Sequence, residues 1–353
     1  MDHARFADRD AHVVVDVRHG HEALDALTRE GFWAVVATFE GAVTAVRFAE
    51  VTPRAYAARP ARDRRAGSPA GSTAWHPLDR HWHTSLDRTA YVGAVREVRE
   101  RIAAGTVYQV NVCRVLSHAL SAEADLDGLD TLLRQGNPAP HAARIRCEAA
   151  GLDVVSASPE LFFGRRGRHL VTRPIKGTAT TAEEMLPKDY AENVMIVDLM
   201  RNDVSGVCEP GTVSVDELCA IEAHPGLVHL VSTVSGHLRE GVGWADVFAA
   251  FYPPGSVSGA PKSSALTAIR DLETVPRGPY CGAVGWVDAD AEEADLAVGI
   301  RTFWAERDDT GRRWLRFGTG AGITWHSDPE REWAETELKA ARLIGLAAGT
   351  VTP

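Results

Sequence analysis

The sequence has few cysteines, no long apolar stretch and no excess of basic residues. Its five cysteines are unevenly spaced and contain no Cys-x-x-Cys pair, so we expect reduced, mostly buried thiols of a cytoplasmic protein. The charged N-terminus and the absence of a run of about 18 apolar residues argue against secretion and membrane insertion. Lys and Arg total 38 against 48 Asp and Glu, and the net charge of -10 disfavours binding to nucleic acids.

The remaining composition is that of a globular enzyme-sized protein. The 353 residues are 45% hydrophobic and 24% charged, which is enough to build a large core. Strand and helix patterns alternate irregularly, without the regular repeat of a doubly wound sheet or an eight-fold barrel. We therefore expect one two-lobed body with an α+β fold and mixed or antiparallel sheets.

Several elements can be placed from local patterns. Residues 32–39 and 42–48 form two β-type runs around Glu-Gly, which predicts a hairpin. Residues 52–77 are rich in Pro, Arg, Ala, Gly and Ser, and we interpret them as an exposed, mobile loop. Apolar spacings of three and four predict helices over 87–105 and 330–348, the second of them clearly amphipathic.

The most informative local sequence is Arg-Pro-Ile-Lys-Gly-Thr at 173–178. Gly177 has no side chain and tolerates unusual backbone angles, so Lys176 could approach a substrate closely. Such a lysine could act as a nucleophile. The alternative is a solvated lysine at the end of a strand, which is the commoner role of this residue type.

Carboxylates recur on one face of two helical segments. Residues 188–202 carry Glu192 at the edge of an apolar helix, while Glu332, Glu335 and Lys339 are spaced to project from one side of the last helix. These could be solvated faces with intrahelical ion pairs. Alternatively, two glutamates from separate helices, with positions left open for water and ligand oxygens, would suit Mg²⁺.

Two glycine-rich stretches, and also one histidine, can each be interpreted in two ways. Residues 254–263 and 318–322 could bind an anion through backbone N–H groups or could be tight turns, and neither has the spacing of a phosphate loop or a dinucleotide fingerprint. His229 lies in an apolar strand pattern, where a hydrogen-bonded core histidine is more common than a ligand.

Eleven short motifs occur in one order along the chain. They are Tyr-Gln-Val-Asn (108–111), Ala-Ser-Pro-Glu (157–160), Arg-Pro-Ile-Lys-Gly-Thr (173–178), Glu-Asn-Val-Met-Ile-Val-Asp-Leu-Met-Arg-Asn-Asp (192–203), Cys-Glu-Pro-Gly (208–211), His-Leu-Val-Ser (229–232), Gly-Ser-Val-Ser-Gly-Ala-Pro-Lys (255–262), Tyr-Cys-Gly-Ala-Val-Gly (280–285), Ile-Arg-Thr (300–302), Gly-Ala-Gly-Ile (320–323) and Ser-Asp-Pro-Glu (327–330). By these motifs the chain resembles the chorismate-utilising enzymes over about residues 85–345.

The resemblance implies a two-lobed mixed α/β sandwich with the site in the cleft between the lobes. It implies a catalytic domain over 85–353, with residues 1–84 as a short N-terminal segment packed on it. It also implies Mg²⁺ held by Glu192 and Glu335, and Glu332 is a third candidate ligand on the same helix face.

The resemblance further implies a set of substrate positions. Arg301, Tyr280 and the backbone of Gly320, Ala321 and Gly322 match positions that bind the enolpyruvyl carboxylate of chorismate, while Mg²⁺ holds the ring carboxylate. The other implied substrate-binding residues are Gln109, Thr178, His229, Ser256 and Lys339.

Two positions imply the reaction. Glu160 matches the general acid/base that helps the C4 hydroxyl leave. Lys176 occupies a position where anthranilate synthases have alanine and the large component of aminodeoxychorismate synthase has lysine. Gln109 replaces the lysine that activates water in isochorismate and salicylate synthases. The resemblance therefore implies addition of Lys176 at C2, followed by attack of ammonia at C4, with ammonia supplied by a glutamine amidotransferase.

Two departures from the family's pattern bear on regulation and partner docking, and the second also on substrate placement. The family has a longer N-terminal region, which in some members forms a tryptophan site that this sequence lacks. Residues 179–181 are Ala-Thr-Thr where charged residues are usual. The alternatives are a 2-amino-2-deoxyisochorismate or anthranilate-type synthase that tolerates Lys176, and a non-catalytic paralogue that binds chorismate or an amidotransferase.

Overall fold

The computed structural model describes residues 1–54, 75–79, 81–224 and 227–351. Most of the predicted loop over 52–77 lies outside these residues. Its described ends differ from the prediction. Thr52 and Pro53 belong to a strand, and the indole Nε1 of Trp75 donates a hydrogen bond of 2.8 Å to Ala347 O at the end of the last helix.

The described part of the chain contains eighteen strands and seven α-helices. The strands are β1 (His3–Arg5), β2 (Arg9–His19), β3 (Phe32–Ala37), β4 (Val43–Pro53), β5 (His83–Thr84), β6 (Gln109–Ala119), β7 (His141–Cys147), β8 (Leu152–Ser158), β9 (Leu161–Arg166), β10 (His169–Arg173), β11 (Ile175–Ala179), β12 (Ser214–His224), β13 (Leu227–His237), β14 (Gly259–Ala260), β15 (Ala283–Asp288), β16 (Glu293–Val298), β17 (Thr302–Arg307) and β18 (Arg313–Ile323). The helices are α1 (Gly20–Ala26), α2 (Arg88–Ala103), α3 (Leu126–Gly136), α4 (Pro187–Ser205), α5 (Trp244–Phe251), α6 (Lys262–Leu272) and α7 (Pro329–Ala347). Short 3₁₀ turns lie at Ala182–Glu184 and Gly255–Val257.

The strands form one hydrogen-bonded network, and every pairing among the described residues is antiparallel. Neighbouring strands follow the order β6, β18, β17, β8, β7, β1, β2, β4, β3, β15, β16, β9, β10, β13 and β12. Strands β5 and β14 share the outer edge of β6, and β11 lies beside β13 next to β10. The antiparallel sheets and the helices make an α+β fold, as predicted.

Two hydrophobic cores divide the molecule into lobes. The smaller core packs α3 and α7 against strands β6, β8, β17 and β18, with Leu129, Phe303 and Leu343 at its centre. The larger core includes the aromatic side chains of α5, β3 and β15. The chain therefore folds as the two-lobed α+β body that its motifs imply.

The N-terminal strands join this network directly. The predicted hairpin is confirmed, because β3 and β4 pair from Phe32↔Phe48 to Ala37↔Val43. Strand β3 also pairs with β15, and β1 pairs with β7. The division of the chain at residue 84 stays a prediction.

Local sequence signals explain the helix ends. Asp87 caps α2, since its carboxylate accepts a hydrogen bond of 2.8 Å from Ala90 N. Asp328 caps α7 in the same way through Glu330 N and Arg331 N, and Pro329 occupies the first helical position. In α7 the residues Thr336, Ala340 and Leu343 are buried, which turns the acidic face away from the core of that lobe.

Two predictions about cysteines and membranes can be compared with the structure. All five cysteines are free; four are buried and Cys219 is half-buried, as expected for reduced thiols. In the described ranges, no helix is both long and apolar enough to cross a bilayer.

Candidate active site

Lys176 lies in β11, where its Nζ donates a hydrogen bond of 2.9 Å to the Ser256 carbonyl oxygen. The next residue, Gly177, has a φ of +84°, a backbone conformation that residues with a Cβ atom rarely adopt. A Cβ atom at Gly177 would be 2.9 Å from Asp189 Cβ and 3.1 Å from Met185 Sδ. Glycine therefore allows the start of α4 to pack closely against the strand that carries the lysine.

Burial lowers the pKa of Lys176. The nearby carboxylates of Glu160, Glu192 and Glu335 oppose this effect, while the positive charge of Lys339 adds to it, and the net result is a lowered pKa. A lysine with a lowered pKa has a larger neutral fraction near pH 7. Only the neutral amine has the lone pair that a nucleophile needs.

Glu160 lies between β8 and β9 and is 4% exposed. Burial raises its pKa, against the hydrogen bond from the Ser256 side chain and the charge of Lys176. The raised pKa favours the protonated carboxyl group. Glu160 is thus suited to give a proton to a leaving group.

Ser256 connects these two groups. It is 4% exposed and sits in the 3₁₀ turn Gly255–Val257. Its carbonyl oxygen accepts the hydrogen bond from Lys176, and its side chain hydrogen-bonds Glu160. The turn therefore holds an amine and a carboxylic acid through one residue.

The acidic faces of α4 and α7 converge near Lys176. Burial raises the pKa of Glu192 and of Glu332, and neighbouring carboxylates contribute to both shifts. Burial alone would raise the pKa of Glu335, but the charges of Lys339, Lys188 and Lys176 together outweigh it and lower the pKa of that carboxyl group. Lys339 forms an ion pair with it, 2.7 Å from Nζ to Oε1. Lys339 Nζ also donates a hydrogen bond of 3.1 Å to Gly320 O.

This donor set fits a hard divalent cation in one respect. Carboxylate oxygens are the ligands that Mg²⁺ prefers, and Glu335 lies close enough to Glu192 and to Glu332 for its charge to raise the pKa of each. Within the ranges that the structure describes, no group of three or more His, Cys, Asp or Glu residues gathers closely enough to hold a metal. A metal here would need oxygens from substrate or water in addition to glutamates.

Arg301 is a cation without a partner. Its φ is +53°, a strained conformation for a residue other than glycine. Its carbonyl oxygen accepts a hydrogen bond from Ala157 N, and among the described residues its guanidinium pairs with no carboxylate. Burial lowers the pKa of Arg301, yet a guanidinium stays charged at neutral pH. A half-buried, unpaired arginine is a suitable partner for a substrate carboxylate.

Tyr280 is buried in the protein interior. It is 6% exposed, its hydroxyl lies 3.9 Å from Cys113 Sγ, and burial raises its pKa well above 10. A Cβ atom at Gly318 would be 2.0 Å from the Tyr280 ring. The ring thus packs directly under strand β18.

The glycine-rich stretch at 318–322 is not a turn. It lies within β18 and pairs with β6 from Gly318↔Val115 to Gly322↔Asn111, which excludes the alternative of a tight turn there. The glycines make room for side chains instead: a Cβ at Gly320 would be 2.6 Å from Cys113 Sγ. The stretch at 254–263 does contain a short turn, Gly255–Val257, before α6 begins.

Gln109 is a buried polar side chain beside this strand. It is 1% exposed, and its Oε1 has no hydrogen-bond partner among the described residues. A Cβ at Gly322 would be 2.5 Å from Gln109 Nε2, so the amide lies against the glycine backbone. An unsatisfied buried oxygen is costly, and a bound ligand could satisfy it.

Thr178 and His229 form a separate contact. Thr178 Oγ1 lies 2.8 Å from His229 Nδ1 across the β11–β13 pair, and the histidine is 2% exposed. His229 therefore has the hydrogen bonding of a core histidine, on the same strand pair that carries Lys176.

Three residues near this site were not singled out by sequence reasoning. Asn111 donates a hydrogen bond of 3.0 Å to Ser256 O, Lys188 lowers the pKa of Glu192 and Glu335, and the charge of His141 acts on Glu160. The position of Lys188 one helical turn before Glu192 was a usable signal. Asn111 ends the Tyr-Gln-Val-Asn motif, but no local pattern indicated its contact with Ser256. None indicated His141 either, because the neighbours of both residues come from distant parts of the chain.

The family model for chorismate binding enzymes matches residues 31–345. The chain belongs to this family. Among its relatives, this chorismate binding enzyme is 38% identical over 277 residues to anthranilate synthase component 1 3 of Haloarcula marismortui, covering 74% of the chain and 53% of the relative. It is 38% identical to anthranilate synthase component 1 of Saccharolobus solfataricus, covering 73% and 62%. It is 36% identical to aminodeoxychorismate synthase component 1 of Klebsiella aerogenes, covering 74% and 59%. The chain thus matches little more than half the length of these relatives.

Solved structures show the same fold. Anthranilate synthase component I from Streptococcus pneumoniae superposes with a TM-score of 0.78 at 21% identity, covering 97% of this chorismate binding enzyme and 92% of that chain. The menaquinone-specific isochorismate synthase from Escherichia coli superposes with a TM-score of 0.79 at 16% identity, covering 98% and 88%.

Proposed function

We propose that this chain is an aminodeoxychorismate synthase component, which converts chorismate and ammonia to 4-amino-4-deoxychorismate. The observation that carries the proposal is the placement of Lys176: a half-buried amine with a lowered pKa, bonded to Ser256 O beside the buried acid Glu160. In the family this lysine accompanies amination at C4.

The steps assign one role to each group. Protonated Glu160 gives its proton to the C4 hydroxyl, which leaves as water while the Lys176 amine forms a bond to C2. Glu160 takes back the proton that Nζ loses on bonding to C2. Ammonia then bonds to C4 and the C2–Nζ bond breaks, while Glu160 protonates the departing amine and recovers a proton from the new C4 ammonium group. Arg301 binds a carboxylate of chorismate, and the buried Gln109 amide contacts the substrate without activating water.

Mg²⁺ completes the proposed site. Glu192 and Glu335 would hold it, with Glu332 as a further candidate, and it would neutralise and orient a substrate carboxylate among these acidic groups. We expect Glu192→Gln and Glu335→Gln each to lose nearly all turnover, and a metal-binding titration of each variant to show weaker Mg²⁺ affinity. Full activity of the unmodified chain in excess chelator would contradict the assignment.

The proposed source of ammonia is a separate glutamine amidotransferase. No sequence pattern around the five cysteines resembles a glutaminase nucleophile with histidine and acid partners. The purified chain should therefore use ammonium salts and not glutamine. Turnover of glutamine by the chain alone would contradict this part of the proposal.

The second candidate is an anthranilate-type synthase. It is favoured by the names of most relatives, which are anthranilate synthases. Both candidates use chorismate, ammonia and a metal, and they differ in the carbon that receives nitrogen. A non-catalytic paralogue would bind chorismate and form neither product.

One assay separates these candidates. The chain is incubated with chorismate, ammonium and Mg²⁺, the products are resolved by chromatography, and the protein is weighed by intact mass spectrometry with ammonia withheld. We expect a 4-amino product and an adduct on Lys176, with both lost or strongly reduced in Lys176→Ala. Lys176→Arg is the matched control that keeps a cation. Anthranilate as product, with no adduct and an unchanged rate in Lys176→Ala, would overturn the proposal.

A further inference from the structure

The Ser256 carbonyl oxygen is shared by two donors. It accepts a hydrogen bond of 2.9 Å from Lys176 Nζ and one of 3.0 Å from Asn111 Nδ2. A carbonyl oxygen has two lone pairs, so both acceptor positions are in use. Asn111 thereby leaves the lysine amine a single direction from which to approach this oxygen.

Both backbone polar groups of Asn111 are hydrogen-bonded. Its N–H donates to Ser258 O at 2.8 Å, and its carbonyl oxygen accepts from Arg277 Nη2 at 2.8 Å. The same guanidinium donates through Nη1 to Val257 O at 2.9 Å. Strand β6 and the turn that contains Ser256 are therefore bound together before any substrate arrives.

The buried position of Asn111 matters to this arrangement. It is 8% exposed, and a Cβ at Gly322 would be 2.9 Å from its Oδ1. The amide is confined between the Ser256 carbonyl and the Gly322 backbone. Its donor group consequently has a fixed direction.

We propose that Asn111 is a positioning residue that directs the Lys176 amine through the Ser256 carbonyl oxygen. This inference rests on the proposed role of Lys176 as the attacking group. Asn111 fixes the acceptor, the acceptor orients the amine, and the Ser256 side chain hydrogen-bonds Glu160. Misplacement of a reacting atom by about 1 Å can lower a rate by as much as about a hundredfold, so such indirect control is large enough to detect.

The first test is a kinetic comparison. Asn111→Leu keeps a similar volume and removes the donor. We expect kcat to fall about tenfold or more while KM for chorismate changes less than about twofold, because the amine is misdirected and the substrate contacts remain. Tyr252→Phe is the control. It removes the hydrogen bond of 2.5 Å from the Tyr252 hydroxyl to the Thr38 carbonyl oxygen, and it should leave kcat and KM unchanged. A raised KM with unchanged kcat would show a substrate contact and overturn the inference.

The second test is a double-mutant cycle. If Asn111 acts through Lys176, Asn111→Leu should cause no further loss of residual amination in a Lys176→Ala background. A merely structural role would reduce both backgrounds by the same factor, which would overturn the inference. Thermal unfolding of each variant verifies folding, and Asn111→Ala replaces Asn111→Leu if the latter does not fold.

The third test needs no turnover. Pulse labelling of Lys176 with an amine-reactive acylating reagent, measured by peptide mass, should slow several-fold in Asn111→Leu, since the freed Ser256 oxygen can hold the amine protons more strongly. An unchanged labelling rate would overturn the inference. If the wild-type chain made no amino product and no adduct, the proposed function would fail, whereas a labelling difference would still show the coupling.

Discussion

At the scale of single residues, the environment of Lys176 combines opposing effects. Burial lowers its pKa, and three carboxylates around it raise it. Burial is the larger effect, because removing a cation from water costs more than partly screened charges return. The neutral fraction of the Lys176 amine is therefore larger than that of an exposed lysine at the same pH, although acidic groups surround it.

A labelling experiment against pH measures this balance. Acylation of Lys176 should reach half its maximal rate at a pH below about 10.4, the pKa of an unperturbed lysine. The reference is the same peptide labelled in the urea-unfolded chain. Glu160→Gln should move the midpoint further down, since the carboxylate of Glu160 raises the pKa of Lys176. A midpoint at or above that of the unfolded chain would contradict the assignment.

Gly322 offers a second residue-scale prediction. A methyl group there would lie 2.5 Å from Gln109 Nε2 and 2.9 Å from Asn111 Oδ1, so both buried amides would have to move. We expect Gly322→Ala to lose about tenfold or more in kcat/KM and about 1–3 kcal/mol in the free energy of unfolding. Steady-state kinetics and urea unfolding measure these changes.

Gly93 provides the matched control for that substitution. It is an exposed glycine in α2, and a Cβ there would meet nothing within 4 Å. Gly93→Ala should leave activity unchanged and stabilise the protein by about 0.5–1 kcal/mol, because alanine is the better helix former. Equal losses in both variants would show that the close packing at Gly322 is unimportant.

At the scale of elements, the segment that follows α6 holds the turn that carries Ser256. Glu273 and Arg277 form an ion pair in which the side chains are 8% and 1% exposed. Arg277 also bonds the carbonyl oxygens of Val257 and Asn111, and Glu273 accepts from Cys113 N at 2.9 Å. A segment that is remote in sequence from β6 thus holds that strand and the turn in one position.

Removing one partner of this ion pair should strongly lower the free energy of unfolding. Arg277→Met leaves the Glu273 carboxylate buried without its cation, and we expect a loss of about 3–5 kcal/mol in the free energy of unfolding. Arg18→Met removes an ion pair to Asp16 whose arginine is 46% exposed, and should cost about 0–1 kcal/mol. Urea unfolding of the two variants gives the comparison. A loss below about 1 kcal/mol for Arg277→Met would show that the brace contributes little.

At the scale of the whole molecule, residues 1–54 supply strands that the rest of the chain needs. Strand β3 pairs with β15 along six residue pairs, from Phe32↔Asp288 to Ala37↔Ala283. Buried Trp33, Val35 and Phe48 belong to the larger core. Their loss would expose a long strand edge and part of the core to water.

A truncation tests how the chain is divided. We expect the fragment 85–353 to lack a cooperative urea transition and to bind a hydrophobic dye, because β15 and β7 lose their partners β3 and β1. The full chain is the control. A fragment that unfolds cooperatively with unchanged secondary structure would show that residues 85–353 form an autonomous domain.

The sequence by itself determined two things: the family, and those elements whose signals are local. The hairpin of β3 and β4, the caps at Asp87 and Asp328 and the acidic face of α7 follow from patterns within a few residues. The ordered motifs around Lys176 indicated the chorismate binding enzymes, because chemistry requires certain residue types at short fixed spacings.

The tertiary structure decided the contacts between residues that are distant in sequence. Gly318 to Gly322 became a strand and not a turn, since pairing with β6 and the space needed by Tyr280 and Gln109 outweigh the turn tendency of glycine. Asn111 meets Ser256 across 145 positions of sequence, and no local pattern reports such a contact. Hydrogen bonds of this kind depend on which strands become neighbours, and that is settled only when both lobes have packed.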